Sequence, residues 1–421
     1  MNAIIHPRKL KGEVSIPPSK SLSHRAIIAA CLAEGKSIID NVILSKDIIA
    51  TIDACKALGA DVVIDAKRLI VQGSKVKRVE KMIDANESGS TIRFMIPIAL
   101  VCDKEMEFTG KNNLVNRPLD SYFEIFDKIG IEYSRKSDTY LPLKTKGGLV
   151  PGDYSIRGDV SSQFITGLLY ALPLLSGDSK IIITTKLESK GYIDLTLDVL
   201  KKFGISIVNN NYQEFFVKGN QKYIPCDYYV EGDYSQTAFF LVAGALGSDV
   251  KLLGMEKESY QGDKKIINDI IDMSGKIVFD DKYLFCEPSV TQGAVIDFSQ
   301  SPDLGPALTV LASLSVGKSE FINASRLRIK ECDRITCMKE ELNKMGASVK
   351  ELEDGMIIVG VEKFNGAVVD SHNDHRIAMA LAIASTMATS DVKILNAECV
   401  SKSYPHFWDD FVALGGCVDY E

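Results

Sequence analysis

The sequence predicts an α/β protein of two similar domains with three helix-plus-strand units in each, and three observations predict it. A glycine ending an amphipathic helix pattern before a β-like run recurs at Gly59, Gly130, Gly204, Gly275, Gly346 and Gly415, spaced 69 to 74 residues apart. A second series of nearly all-apolar stretches runs out of phase with those glycines. The length of 421 residues exceeds what one hydrophobic core normally serves.

Each marker glycine suits the position just past a helix C-terminus, where φ is positive. The stretch after it usually has the pattern of a hairpin: ADVVIDAKRLIVQG after Gly59, ISIVNNNYQEFFVKG after Gly204 and ASVKELEDGMIIVG after Gly346 alternate apolar residues around polar turns. The last copy stops at CVDYE. The apolar stretches lie at 26–33, 92–100, 164–175, 237–247, 306–317 and 377–388 and are rich in small residues, so they are expected as helices buried on every side. In front of them stand SKSLSHR, ESGS, SSQ, GDYSQ, SPDLG and HNDHR, polar helix starts of the kind that bind anions. The opening MNAIIHPRKLKGEVSI alternates like a strand and has no apolar core of a signal peptide. Turn residues near Pro17–Ser19 and Tyr229–Asp233 place the domain junctions, giving one discontinuous domain of 1–18 and 230–421 and an inserted one of 19–229.

A formal net charge of −7 argues against nucleic acid or an anionic membrane as partner, because the long-range field repels both. Any anion must be captured locally. Nine cysteines, scattered without a C-x-x-C pair, fit a reducing, cytoplasmic compartment and neither a disulfide framework nor a zinc site. The longest apolar run, at 164–175, is too short to span a bilayer.

Lys20, Ser21 and Arg25 fall within about one turn of a helix start that follows Pro17 and Pro18. A helix N-terminus disfavours a cation by about 0.3–1 kcal/mol, so this conflict suggests an anion that joins them; the alternative is a solvated basic helix start. The conflict recurs in RLRIKECDR (326–334), where Arg326, Arg328, Lys330 and Arg334 surround Glu331 and Asp333 at the start of a helical pattern running to Met345. Helical spacing puts Lys330 and Arg334 on one face, either as an anion site or as a salt-bridged solvated face. His372 and His375 have H-x-x-H spacing, but no glutamate motif or second ligand cluster accompanies them, so an anion site at Asn373–Arg376 is expected and no metal. Ser161, Ser162, Gln163, Ser189, Lys190, Tyr192 and Arg117 add donors suited to a phosphorylated, polyhydroxylated small molecule, or are ordinary helix caps. No nucleotide-binding glycine loop and no nucleophile elbow is present. Asp303 and Glu331 are then the proton-transfer candidates, with Lys20 as a possible acid.

Taken in order, SKSLSHRA (19–26), ESGSTIRF (87–94), NRPL (116–119), SSQF (161–164), SKGYID (189–194), EGDYS (231–235), Pro302-Asp303, RIKECDR (328–334), NDHR (373–376) and SKSYP (401–405) resemble the EPSP synthase family of enolpyruvyl transferases over essentially the whole chain. The resemblance implies two domains of three βαβαββ units each, arranged as inside-out α/β barrels, with the active site in the cleft between them. It implies transfer of the enolpyruvyl group of phosphoenolpyruvate to the 5-hydroxyl of shikimate 3-phosphate, through a tetrahedral intermediate, by a monomer with no cofactor. Shikimate 3-phosphate is expected at Lys20, Ser21, Arg25, Ser161, Ser162, Gln163, Ser189, Tyr192, Asp303 and Lys330. Phosphoenolpyruvate is expected at Lys20, Gly89, Arg117, Gln163, Arg334, Arg376 and Lys402. Asp303 is the implied base, Glu331 and Lys20 the carriers of the methylene proton, and His375 a weaker participant. Glu87 and Arg326 stand where some members carry asparagine and are left out; Phe94 replaces a proline of some members, so nothing is inferred about glyphosate. The related UDP-N-acetylglucosamine 1-carboxyvinyltransferases read S-K-N at the first motif and carry a cysteine loop that has no counterpart beside Arg117. A noncatalytic anion-binding module would have no need of Asp303 and Glu331 among its cations.

Overall fold

The computed structural model describes residues 1–421. Its helices are α1 (Lys20–Leu32), α2 (Lys46–Ala57), α3 (Gly89–Ala99), α4 (Asp120–Ile129), α5 (Ser162–Ala171), α6 (Lys190–Lys202), α7 (Tyr234–Ala245), α8 (Ile266–Asp272), α9 (Gly305–Ser313), α10 (Arg334–Lys344), α11 (His375–Ser385) and α12 (Phe407–Ala413). None is long and apolar enough to cross a membrane.

The strands form six sheets of four, and all six repeat one pattern. In the third unit, Asp153–Ile156 runs parallel to Ser179–Ile183, which pairs antiparallel with Glu214–Val217, which in turn pairs with Ile207–Asn210. Three units borrow a strand from elsewhere in the chain. Ala3–His6 inserts between Val392–Leu395 and Cys417–Tyr420 with Ile4 opposite Asp419, so the chain start completes the unit that stops at its C-terminus. Lys11–Ser15 lies parallel to Asp249–Leu253, and Tyr228–Tyr229 lies parallel to Gly35–Asp40.

The chain divides into two compact units, Met1–Pro17 with Glu231–Glu421, and Pro18–Val230. Val230 belongs to the second because its N–H donates to the Asp40 carbonyl at 3.0 Å and its own carbonyl accepts from Asn41 at 2.7 Å. Glu231 belongs to the first, where its carboxylate accepts from Gln261 Nε2 at 2.7 Å. Each unit has its own apolar core.

The odd-numbered helices fill those cores. Every residue of α7, α9 and α11 is buried, and the three pack on one another. At about 1.5–3 kcal/mol for each large apolar side chain, this burial dominates the stability of the unit. Side-chain caps satisfy the first N–H groups of five of them: Ser19, Ser88, Ser161, Asp233 and Asp374 accept from the first turns of α1, α3, α5, α7 and α11. For α9 a turn over Pro302–Leu304 does this instead. The even-numbered helices are one-sided. In α4, Tyr122, Phe123, Ile125 and Phe126 face inward while Glu124, Asp127 and Lys128 face water.

Five of the six marker glycines have positive φ, from 76° at Gly130 to 104° at Gly59. Gly275 is the exception. There α8 ends one residue early, Ser274 takes the left-handed conformation at φ 67°, and a Cβ on Gly275 would lie 2.3 Å from Ile270 Cγ2. Close approach to the helix end, not φ, excludes a side chain at this position.

Candidate active site

In the unit Pro18–Val230, the polar starts of α1, α3, α5 and α6 carry the expected residues. Lys20 opens α1 and its Nζ pairs with Asp47 Oδ2 at 2.9 Å. Arg25, one turn further, is buried; Nε donates to Thr196 Oγ1 at 2.9 Å, Nη1 to the Ser21 carbonyl at 2.9 Å and Nη2 to the Tyr192 carbonyl at 3.0 Å. Its guanidinium also lies over the rings of Phe94 and Tyr192. Neutral oxygens and aromatic faces therefore hold this cation. Ser189 starts α6 in the left-handed conformation, and its carbonyl accepts from Tyr192 N at 3.1 Å. The structure thus brings Ser21, Arg25, Ser189 and Tyr192 together.

A second group forms between α3 and α5. Ser161 Oγ accepts from Gln163 N at 3.3 Å, and Ser162 is the first residue of α5. The Gln163 amide donates to Ser90 Oγ at 2.9 Å and accepts from Arg93 Nη1 at 2.8 Å. Arg93 Nη2 reaches the Pro118 carbonyl, next to Arg117. Gly89 lies directly on Arg117: a Cβ there would be 2.7 Å from Nη1, so any side chain at this position would displace the guanidinium. Beneath it, His24 Nδ1 meets Thr51 Oγ1 at 2.7 Å, which meets Thr91 Oγ1 at 2.6 Å, which donates to Ser88 Oγ at 2.7 Å. Burial pushes the His24 pKa down to about 3, with Lys20 and Arg25 acting in the same direction and Asp47 opposing, so its ring is neutral.

In the unit Met1–Pro17 with Glu231–Glu421, three cations converge on Asp303. Lys330 Nζ lies 3.1 Å and Arg334 Nη1 2.9 Å from Oδ1, and Arg376 Nη2 lies 3.3 Å from Oδ2. Burial disfavours the charge of Asp303, yet Arg376, Lys330 and Arg334 hold its carboxyl well below the usual range. Arg334 also donates to Asp374 Oδ2 at 2.7 Å and Glu331 Oε2 at 2.8 Å, and is only 1% exposed. Lys402 Nζ lies 3.5 Å from Glu331 Oε1. Burial lowers the pKa of Lys330 to about 8; Asp303 opposes that shift and Arg334 and Arg326 add to it. Asp303, Lys330, Glu331, Arg334, Arg376 and Lys402 thus form one cluster in which carboxylates offset buried cations that would otherwise be very costly.

Two expectations need correction. RLRIKECDR is not a helix start: Ser325–Ile329 is a 3₁₀ turn, Lys330 is extended, and α10 begins only at Arg334. Asp333 sets that boundary, because its side chain accepts from Ile335 N and Thr336 N. Lys330 and Arg334 share Asp303, not a helix face. The second correction is to the reading that no glutamate accompanies His372 and His375. His372 Nε2 meets the buried Glu341 Oε1 at 2.7 Å, whereas His375 is buried with Nδ1 3.7 Å from Asp374 Oδ1. A glutamate does join His372, contrary to the sequence reading, but Lys344 Nζ holds both Glu341 oxygens at 2.9 and 2.7 Å, where a cation would sit.

Sequence reasoning also missed partners. Asp47, Arg93, Ser90 and Asp374 were not among the candidates, and each bonds a candidate far away in sequence. Arg326, left out, is buried and bears on Lys330. Glu87 accepts from Asn112 Nδ2 at 3.0 Å.

Residues 4–411 match the sequence profile of EPSP synthase (3-phosphoshikimate 1-carboxyvinyltransferase). The chain is 52% identical over 421 residues to a 3-phosphoshikimate 1-carboxyvinyltransferase of Clostridium perfringens, covering 99% of each. It is 55% identical over 429 residues to one of Clostridium novyi, covering 99% of this chain and 98% of that one. A solved structure of EPSP synthase from Acinetobacter baumannii shares the fold, with a TM-score of 0.83 at 24% identity and all of both chains covered. By profile, sequence and fold, the chain belongs to the EPSP synthase family.

Proposed function

We propose that this chain transfers the carboxyvinyl group of phosphoenolpyruvate to the 5-hydroxyl of shikimate 3-phosphate, releasing phosphate on the route to chorismate and the aromatic amino acids. The observation that carries the reading is Asp303 held by Lys330, Arg334 and Arg376 in a chain of this family. Shikimate 3-phosphate is assigned to Lys20, Ser21, Arg25, Ser161, Ser162, Gln163, Ser189, Tyr192, Asp303 and Lys330. Phosphoenolpyruvate is assigned to Lys20, Gly89, Arg117, Gln163, Arg334, Arg376 and Lys402. The enzyme works in this reading as a cytoplasmic monomer without metal or organic cofactor; nine free cysteines support a reducing compartment.

The chemistry needs two proton transfers in each direction. In the addition, the 5-oxygen bonds to C2 of phosphoenolpyruvate as Asp303 takes the hydroxyl proton, and Glu331 or Lys20 protonates C3 to a methyl group. In the elimination, the methyl returns a proton to that group, the C2–O bond to phosphate breaks, and the departing phosphate takes the hydroxyl proton held by Asp303 and leaves as hydrogen phosphate. Asp303 is a weak base while three cations face it. Substrate carboxylate and phosphate oxygens compete for those cations, so binding raises its basicity when the proton must move. Arg334, Arg376 and Lys402 then stabilise the leaving phosphate.

The test is phosphate release from phosphoenolpyruvate with shikimate 3-phosphate, with UDP-N-acetylglucosamine, and with no acceptor. Release with shikimate 3-phosphate alone is expected. Release only with the UDP-sugar, or none despite binding of both substrates by folded protein, overturns the reading.

A further inference from the structure

We infer that Arg328, which sequence composition groups with the anion-binding cations, is a positioning residue that sets Glu331 in place for the reaction. The inference rests on the proposed role of Glu331 in proton transfer. Arg328 lies in the 3₁₀ turn Ser325–Ile329, two residues before Lys330 and three before Glu331. Its guanidinium is spent on the chain itself. Nη1 donates to Asp333 Oδ2 at 2.7 Å, to Glu351 Oε1 at 2.8 Å and, more distantly, to Thr336 Oγ1 at 3.4 Å. Nη2 donates to the Leu352 carbonyl at 2.6 Å, and Nε to the Glu353 carbonyl at 3.0 Å.

These bonds tie the turn to two rigid elements at once. Glu351, Leu352 and Glu353 lie at the tip of the hairpin Ser348–Leu352 and Gly355–Val359, whose strands pair along their length. Asp333 divides its carboxylate: Oδ1 caps α10 and Oδ2 receives Arg328. The other end of the segment is clamped to the same hairpin tip, with Ser325 N on Asp354 Oδ1 at 2.6 Å and Ala324 N on the Asp354 carbonyl at 3.2 Å. Lys330 and Glu331 therefore project from a short bridge whose two ends Arg328 fastens to hairpin and helix. Lysine cannot replace it, since a single ammonium lacks the planar fork that reaches carboxylates and carbonyls in different directions. A displacement of about 1 Å at a reacting group costs on the order of 10²-fold in rate.

The experiment is a double-mutant cycle read by exchange of solvent deuterium into the phosphoenolpyruvate methylene in the presence of shikimate 3-phosphate. Arg328→Lys alone is expected to lower exchange and kcat together by about 10²-fold. In the Glu331→Gln background the same change is expected to cost under about threefold, because the group it positions is already disabled. Glu351→Gln weakens the fastening from the hairpin side and serves if Arg328→Lys fails to fold; it is expected to give a smaller loss that also vanishes in Glu331→Gln. An undiminished further loss in the Glu331→Gln background, or wild-type kcat in the folded Arg328→Lys variant, overturns the inference alone. Wild-type exchange in Glu331→Gln overturns the proton-transfer reading as well.

Discussion

The two units hold their cations in different ways. In Pro18–Val230, Arg25 rests on Thr196 Oγ1, two backbone carbonyls and two aromatic faces, Arg93 rests on Gln163 and a carbonyl, and the carboxylate bonded to Lys20 is Asp47. In the other unit Asp303, Glu331 and Asp374 are interleaved with Lys330, Arg334, Arg376 and Lys402. Neutral acceptors satisfy a guanidinium without cancelling its charge, so the first arrangement stays attractive to a phosphate. Carboxylates cancel it, so an anion entering the second must compete with them and, in doing so, changes how readily they take a proton. In the proposed reading, the first arrangement favours retention of an anion, and the second couples anion binding to the protonation of its carboxylates.

Substituting the central carboxylate separates these roles most sharply. Asp303→Asn removes the proposed base and should lower kcat by about 10²- to 10⁴-fold in steady-state assays. A loss confined to KM would show that this unit, too, serves binding alone. Arg25→Met should act the other way, raising KM for shikimate 3-phosphate by roughly 10- to 150-fold, equivalent to about 1.5–3 kcal/mol for a charged hydrogen bond, with kcat less affected. The third effect depends on pH. Lys330, with its pKa near 8, is cationic below that value and neutral above it. KM for shikimate 3-phosphate should therefore rise above about pH 8, by up to about tenfold per unit, and Lys330→Arg should flatten that rise. Asp47→Asn should change turnover least while lowering thermal stability by about 1–3 kcal/mol, since Lys20 loses a charged hydrogen-bond partner. A fall in kcat as large as that of Asp303→Asn would erase the contrast between the units.

Much of the fold was legible because it rests on local signals. The buried helices announce themselves by all-round apolar, small residues, as in TAFFLVAGALG, and five of the six glycines terminate helices with positive φ. Gly275 shows the limit: its need for a missing side chain comes from Ile270, about one helical turn back, and its neighbour Ser274 takes the positive φ. The borrowed strand Ala3–His6 was readable as a strand but not as the missing piece of the unit at the C-terminus, because its partners lie almost a chain length away. The same holds at the candidate site. Cation types and the Asp303 and Glu331 carboxylates stand out in the motifs, whereas Asp374 and Asp47 become visible only when residues 40 and 27 positions apart meet. RLRIKECDR misled because alternating cations mimic a helical face, while the decisive feature, the Asp333 cap, reads as one more charge.

The decisive measurement follows the ¹³C signal of the Asp303 side-chain carboxyl against pH, assigned with Asp303→Asn, in the free protein and with shikimate 3-phosphate bound. If Asp303 is the base, its carboxyl titrates well below the ordinary aspartate range when free and moves upward once substrate oxygens claim Lys330 and the arginines. An unchanged or lowered titration in the bound state would contradict this, leaving Asp303 a structural counter-ion and the proton transfer without its base.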